Sequence, residues 1–265
     1  MGTRLMQRRA LLLAVLPLTK HAQSHAQSYA QSHEAWSTLL RQHVRLLRGG
    51  QASQLDYRGM ASQRKVLQSY LAGLSAVPLA TYQAWPRTAQ MAHLINAYNA
   101  FTVELILSRY PALSSIKDVG SLLRSPWKRK WVPLLGQTLS LDEIEHERLR
   151  PVFRDPRIHF AVNCASIGCP MLREEAYLAD RLDAQLDQQT DRFLRDRTRN
   201  RVENGVLWVS KIFDWYADDF GPRLSTWLGG RAALLSDKPA EQQAIAAEAL
   251  PIRFLDYDWA LNDPR

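Results

Sequence analysis

Both cysteines of the chain lie in one short segment, which holds residue types suited to covalent chemistry. The segment spans residues 157–170 and contains His159, Cys164 and Cys169. Its apolar run, residues 158–162, predicts a buried strand, and the small residues that follow predict a loop closed by a proline. Functional side chains are often found on a loop that a rigid element positions, so we take this segment as the candidate site.

A cysteine nucleophile is the first hypothesis for this site. The thiolate is the reactive form, and a base or a positive field must lie nearby to form it at neutral pH. Cys164 at the end of a strand would have loop N–H groups beside it that could bind an oxyanion. His159 is the nearest base, but residues five apart on a regular strand point to opposite faces, so a bend would be required.

The candidate catalytic residues are Cys164, His159, His146, Glu145 and Asn99, with Asn96 as another partner for the His146 imidazole. Such a set would perform acyl transfer or amide hydrolysis, by analogy with thiol proteases and transglutaminases.

A ligand-binding or structural module of the cell envelope is the second hypothesis, and the sequence favours it narrowly. In this reading a Cys164–Cys169 disulfide stiffens a loop that faces a ligand, and the nearby polar side chains form a buried network. Aromatic side chains could stack on sugars or pack in the core. The candidate binding residues are Asn96, Asn163, Ser166, Trp215 and Tyr216.

A zinc ion held by His159, Cys164 and Cys169 is the third hypothesis. A Cys-x4-Cys spacing permits it, but the sequence offers no evident fourth ligand. A redox role has little support from the sequence, because the cysteine spacing is not Cys-x-x-Cys. We therefore expect no metal and no other cofactor.

The N-terminus has the pattern of a secretory signal peptide. Arg4, Arg8 and Arg9 precede the apolar run 10–18, and small residues follow. We predict a signal peptide over residues 1–26, a low-complexity linker over 27–34, and a periplasmic or secreted protein. Removal of this segment lowers the formal net charge from +8 to +4, which argues against a nucleic-acid partner. Export into an oxidising compartment would also allow a disulfide.

The rest of the chain reads as one helix-rich α+β domain with a small mixed or antiparallel sheet. Its 46% hydrophobic and 23% charged residues are ordinary for a globular protein, and no transmembrane span is expected in the mature chain. No linker interrupts residues 35–262, so we assign one domain to 35–265. Its partner is expected to be an envelope ligand or protein that the sequence does not identify.

Periodicity and turn residues predict the main elements of this domain. Helical spacing is found over residues 36–47, 62–74, 88–110, 141–150, 174–197, 212–220, 223–228 and 241–249, and a strand over 252–257. Leu135-Gly136 and Asn204-Gly205 predict two hairpins. Ser140 begins a capping box, and Pro151 is expected to end the helix that follows it. Asn96 and Asn99 share a face of the longest helix and are expected to bind loop backbone or to line the site.

Five blocks of the sequence resemble, in order, the signature blocks of the domain of unknown function 547 family. They are His93–Ala100, Gly136–Leu149, Asp155–Cys164 with Cys169-Pro170, Ser210–Phe220 and Tyr257–Asn262. The resemblance covers about residues 55–262 and implies no reaction. The family includes exported bacterial and intracellular plant proteins, and we expect this chain to be an exported bacterial member. Plant-like members resemble it at Cys164 but tend to lack the second cysteine, which implies a role for Cys164 that needs no disulfide.

Overall fold

The computed structural model describes residues 32–120 and 125–264, so the predicted signal peptide and most of the predicted linker lie outside the described residues. The helices are α1 (Glu34–His43), α2 (Tyr57–Ser62), α3 (Arg64–Ser75), α4 (Leu79–Gln83), α5 (Arg87–Leu107), α6 (Leu141–Glu143), α7 (Arg150–Phe153), α8 (Ile158–Ala161), α9 (Leu182–Arg195), α10 (Ile212–Trp215), α11 (Leu224–Gly229), α12 (Ala232–Leu235) and α13 (Pro239–Ala246). The strands are β1 (Val44–Leu47), β2 (Ala52–Leu55), β3 (Val132–Leu134), β4 (Gln137–Leu139), β5 (Arg201–Glu203), β6 (Val206–Val209) and β7 (Ile252–Phe254). The prediction of a helix-rich α+β domain is confirmed.

The strands of the described chain form three small sheets and not one. The β1–β2 and β3–β4 pairs are antiparallel hairpins, and β5–β6–β7 is a mixed sheet in which β7 runs parallel to β6. Both predicted hairpins are confirmed. Leu135-Gly136 and Asn204-Gly205 have positive φ angles at both positions, as the tight turn between twisted strands requires.

Helix α5 is the central element of the larger core. It is buried along most of its length, including Asn96 and Asn99, whose side chains bind backbone groups of neighbouring segments. Buried amides are tolerated in an apolar helix only when such partners are present. The helix therefore fixes the position of the segments that lie against it.

The N-terminal helix is shorter than predicted. It ends at His43, and the chain continues as β1 instead of extending the helix to residue 47. The predicted stop, Gly49-Gly50, is instead in the turn between β1 and β2, where both glycines have positive φ. His33 is buried and bonded to the Tyr70 hydroxyl, so the packed structure includes the end of the predicted linker.

The predicted end of a helix at Pro151 is also wrong. The capping box is present, since Ser140 and Glu143 each accept a hydrogen bond from the other residue's backbone N–H. A π-helical turn, Ile144–Leu149, follows α6, and α7 continues through Pro151. Proline is tolerated there because the first turn of a new helical segment has no use for its missing N–H.

The segment before α9 is irregular where a helix was predicted from residue 174. The Asn96 side chain accepts a hydrogen bond from the Tyr177 backbone N–H and donates one to the Tyr177 C=O. The Leu178 backbone N–H donates to the Gln185 side chain. These tertiary bonds replace the helical ones, so α9 begins only at Leu182.

The predicted buried strand before Cys164 is a helix, α8. Its first turn is closed by bonds from the N–H groups of residues 158–160 to residues 155–157, and Val162 after it is extended. A short apolar run does not distinguish a strand from a buried helix, which explains the error. Phe160 packs into the smaller core formed by the C-terminal elements, whereas Ile158 and Ala161 pack into the larger core around α5. Helix α8 therefore joins the two cores and carries His159 between them.

Candidate functional site

A cavity of about 290 Å³ lies beside Cys164. Seven predicted site residues line it: Cys164, Cys169, His159, His146, Glu145, Trp215 and Tyr216. Further lining residues that the sequence did not single out for a site include Tyr98, Asp142, Tyr257 and Trp259. The cavity wall therefore combines two thiols, two imidazoles, carboxylates and aromatic rings.

The Cys164 sulfur contacts two hydroxyl groups. Its distances to Tyr257 OH and Ser166 Oγ are 3.0 and 3.1 Å, and these two oxygens are 2.9 Å apart. Cys164 is partly exposed, whereas Ser166 is buried. The three groups form a compact triangle in which each hydroxyl can donate to the sulfur.

Cys164 and Cys169 are free thiols, so the predicted disulfide is wrong for this structure. The Cys164 N–H donates to Cys169 Sγ at 2.8 Å, and the Cys169 thiol donates to Val162 C=O at 3.8 Å. Burial acts to raise the pKa of Cys164, but the neighbouring Cys169 side chain and the Ser166 and Tyr257 hydroxyls outweigh it and hold the pKa below its ordinary value. Burial and the neighbouring thiol raise the pKa of Cys169. Cys164 is thus the more acidic thiol of the pair.

The loop that carries both thiols is held by a network of internal bonds. The Asn163 side chain donates to Pro170 C=O and accepts from Ala165 N–H, which ties the two ends of the loop together. The backbone N–H groups of Cys164, Ala165, Ile167, Gly168 and Cys169 all donate within the protein. The expectation that loop N–H groups are available for an oxyanion is therefore not met at these five positions. Asn163 itself is buried and supports the loop from below the cavity wall.

The two asparagines of α5 bind backbone and lie behind the site. Asn99 donates to Ala161 C=O at 2.9 Å and accepts from Asn163 N–H at 2.8 Å, which fixes the chain just before Cys164. Asn96 holds Tyr177 in the same bidentate way. Neither asparagine is among the residues that line the cavity in the described chain.

His159 is held by an acidic residue. Its Nε2–H donates to Asp219 Oδ2 at 2.6 Å, and Arg150 Nε donates to the same oxygen at 2.6 Å. The hydrogen bond from His159, together with Arg150, holds the pKa of Asp219 well below its usual range. With Nε2 as the donor, Nδ1 of the neutral ring carries the lone pair, and this buried atom has no hydrogen-bond partner among the described residues. The Tyr216 ring stacks on the imidazole at a centroid distance of 4.0 Å.

His146 is placed differently. Arg150 NH1 lies 2.6 Å from its Nδ1, and since a guanidinium only donates, Nδ1 must be the acceptor. Its Nε2 is 3.7 Å from Asp142 Oδ1. The lone pair of the neutral His146 ring is therefore already occupied, whereas that of His159 is not.

Glu145 and Tyr216 form a second polar pair in the wall. Glu145 is buried, and its carboxylate lies near the Tyr216 hydroxyl. Burial and this carboxylate raise the pKa of Tyr216, so the phenol stays protonated. Glu145 therefore places a carboxylate beside the tyrosine that stacks on His159, and among the described residues it is not hydrogen-bonded to either imidazole.

Aromatic rings form the mouth of the cavity. Trp215 is 44% exposed and lies 4.8 Å from Tyr257 and 5.7 Å from Trp259, measured between ring centroids. Trp127 packs edge-on against Trp259, and Lys117 Nζ lies 3.7 Å over the same indole. Of the basic residues 128–130, Lys130 is paired with Glu143.

The zinc hypothesis finds no support in the described residues. No group of three or more His, Cys, Asp or Glu side chains there is arranged to hold a metal ion. His159 is bonded to Asp219, and both sulfurs are engaged with the loop and with hydroxyls.

Sequence reasoning missed Tyr257 and Asp219. Tyr257 is 93 residues from Cys164 and Asp219 is 60 residues from His159, so no local spacing connects either pair. The available signal was their position within the last two blocks of the family resemblance. A search of those blocks for hydroxyl and carboxylate side chains would have identified both.

The fold and the site together define a helix-rich α+β domain with a thiol-containing aromatic cavity. Residues 82–194 match the profile of a family described as Protein of unknown function, DUF547. This match supports the family resemblance that the sequence blocks indicate, and it includes Cys164 and both imidazoles but not Asp219 or Tyr257. Comparison with curated proteins and with solved structures gave no match. Within the described residues, no helix has the length and apolar character needed to cross a membrane.

Proposed function

We propose that Cys164 is the nucleophile of a thiol-dependent acyl transferase or amide hydrolase. The observation that carries this proposal is that the free Cys164 thiol lines the cavity and its sulfur is hydrogen-bonded by two hydroxyls. Donors aimed at a sulfur favour its thiolate form, which is the form that attacks a carbonyl.

The chemistry follows from the order of bonds made and broken. The Cys164 thiolate attacks the acyl carbon, a C–S bond forms, and the bond to the leaving amine or alcohol breaks as that group takes a proton. Water or another acceptor then attacks the thioester and releases the thiol. The loop N–H groups at five positions are occupied, so the oxyanion that forms in these steps needs other donors. The hydroxyls of Tyr257 and Ser166, which lie beside the sulfur, can donate to it.

His159 is the better candidate for the base. Within the part of the chain that the structure describes, the Nδ1 lone pair has no partner, and Asp219 fixes the opposite nitrogen, as a base oriented by a carboxylate requires. The hydrogen bonds of the Cys164 sulfur to described side chains go to hydroxyls and not to an imidazole. His159 would therefore act on the proton of the attacking water or acceptor, which would lie in the cavity that both side chains line.

Acylation by p-nitrophenyl acetate tests this proposal. We expect one acetyl group on Cys164, detected by peptide mass, with a burst of nitrophenolate. C164S should abolish the burst. D219N should slow the turnover that follows the burst by about tenfold or more, because His159 loses the carboxylate that fixes its tautomer and orientation. The neighbouring exposed carboxylate supplies the control, D218N, which should leave turnover unchanged. A wild-type protein that is acetylated no faster at Cys164 than at surface lysines would contradict the proposal.

A ligand-binding module is the second candidate, and the exposed aromatic mouth favours it. Three rings at the mouth, Trp215, Tyr257 and Trp259, lie within 6 Å of one another by centroid. Such a surface can stack on a sugar ring without any covalent step. The ligand-binding function would be favoured if C164S bound a soluble oligosaccharide as tightly as the wild type while neither protein was acetylated.

We also propose that the protein is exported to the periplasm or secreted, as a bacterial family member. The proposal is supported by the sequence pattern of residues 1–26, where basic, apolar and small residues follow in the order of a signal peptide. Fractionation of cells that express the full chain should recover a shortened protein outside the cytoplasm. Recovery of the full-length chain from the cytoplasm would contradict it.

A further inference from the structure

The two thiols in the loop after α8 form a site whose oxidation chemistry differs from that of either thiol alone. Cys169 Sγ accepts the Cys164 N–H at 2.8 Å, which holds the second thiol against the backbone of the first. Both line the cavity. We propose that Cys164 is oxidised by a hydroperoxide and that Cys169 resolves the product as a reversible intramolecular disulfide. This inference rests on the proposed function only in sharing the reactive Cys164 thiolate.

The first step is attack on the peroxide. The Cys164 thiolate attacks one oxygen of the O–O bond, an S–O bond forms, and the O–O bond breaks. The leaving alkoxide or hydroxide takes a proton, so the peroxide is reduced by two electrons and Cys164 becomes a sulfenic acid. A cavity of about 290 Å³ admits hydrogen peroxide and small organic hydroperoxides.

The second step joins the two sulfurs. Cys169 Sγ attacks the Cys164 sulfur, an S–S bond forms, the S–O bond breaks, and the departing hydroxide takes the Cys169 proton to give water. Before oxidation, burial and the Cys164 charge raise the pKa of Cys169. Oxidation removes that charge, so ionisation of Cys169 becomes easier at the moment when its attack is required.

The loop is already arranged for this closure. Asn163 bonds both Ala165 N–H and Pro170 C=O, and Arg199 donates to Cys169 C=O at 3.0 Å. The loop ordering that a cross-link normally demands is therefore present in the reduced protein, which raises the effective concentration of one thiol beside the other. Formation of the disulfide would remove the nucleophile from the cavity until a dithiol reduces it.

Treatment of the reduced, desalted full chain with hydrogen peroxide tests the inference. We expect the wild-type intact mass to fall by two hydrogens, with complete loss of Cys164 alkylation and complete recovery after dithiothreitol. C169S should instead gain one oxygen on Cys164 and react with dimedone, because its sulfenic acid has no resolving thiol. C164S should do neither.

Several results would overturn the inference. They are sulfinic or sulfonic acid on Cys164 in the wild type without a disulfide, disulfide-linked dimers on a non-reducing gel, or equal dimedone labelling in wild type and C169S. Acetylation of C169S by p-nitrophenyl acetate separates the two proposals. If C169S is acetylated but the wild type forms no disulfide, the proposed function stands and this inference fails. If the disulfide forms and no variant is acetylated, this inference stands and the proposed function fails.

Discussion

The Cys164 sulfur shows how neighbouring groups change the character of one residue. A thiol behind an apolar run could have been an inert core residue, and burial alone would raise its pKa. The Cys169 side chain and the hydroxyls of Ser166 and Tyr257 reverse that effect, and Tyr257 is 93 residues from Cys164 in sequence. The residue type was visible in the sequence, but the groups that activate it were not, because the chain brings them together only after it folds.

His93 and His33 show the opposite case, in which titratable residues are buried for packing. His93 is fully buried with both nitrogens unpaired, and its ring lies against Trp85 and Tyr82. Burial lowers the pKa of His93 to about 3 and that of His33 to about 4. Both rings are therefore neutral in the folded protein at neutral and mildly acidic pH.

This burial predicts a loss of stability in mild acid. The unfolded chain takes up a proton on each histidine below a pKa of about 6.5, whereas the folded chain does not until about pH 4 to 3. The stability that the folded protein has with these two histidines neutral is thus fully present above pH 6.5 and is lost as the pH falls. At pH 5 the free energy of unfolding should be lower by roughly 2 kcal/mol per histidine. Urea unfolding at pH 7 and pH 5 should show a smaller loss for H93L than for the wild type. L94M, a change of similar volume at a buried residue without a titratable group, serves as the control and should keep the full loss. An equal loss in H93L and the wild type would contradict the account.

At the scale of elements, α5 and α8 together determine where Cys164 lies. Asn99 on α5 holds the backbone on both sides of Val162, which is where the chain leaves α8 and turns toward the thiol. The sequence indicated that the two asparagines share a helical face and would need partners, and the structure supplies backbone partners for both. It did not indicate α8, because four buried residues fit a strand or a helix equally well.

The two asparagines provide a matched pair of variants. N99A leaves Ala161 C=O and Asn163 N–H without partners, and N96A does the same to the backbone of Tyr177. Each should lower the unfolding free energy by roughly 2–5 kcal/mol, since a buried unsatisfied group costs about 1–3 kcal/mol. Only N99A should also slow alkylation of Cys164 in the folded protein, because only its clamp adjoins the thiol. Denaturant unfolding and iodoacetamide kinetics on the same samples check this. Equal alkylation rates in N99A and N96A would show that the clamp does not position Cys164.

At the scale of the whole molecule, the cavity is built from both cores. Tyr98 comes from α5 in the larger core, while Tyr216 and Tyr257 pack against the smaller core. The fold class, both hairpins and the capping box were predictable, because each follows from local spacing or from turn residues. The ends of helices were predicted less well, as at His43 and Pro151, because tertiary pairing and a π-helical turn override local propensity there.

The candidate site was predictable in part for the same reason. The 157–170 segment and the helix that carries Glu145 and His146 stood out by residue type. The predicted disulfide is absent from the described structure, because proximity of two cysteines in sequence does not distinguish a bonded pair from two thiols. The partners that complete the site come from segments far along the chain, and only the folded structure shows that Tyr257 and Asp219 belong to it.

The pH dependence of Cys164 alkylation by iodoacetamide tests the central claim most directly. Peptide mass should locate the label on Cys164, and its rate should rise with a midpoint below the ordinary thiol value of about 8.5. Y257F removes one donor to the thiolate and should move that midpoint to higher pH. If Cys164 in the native wild-type protein is not labelled, or is labelled with a midpoint at or above that of an ordinary thiol, the account of an activated thiol is contradicted.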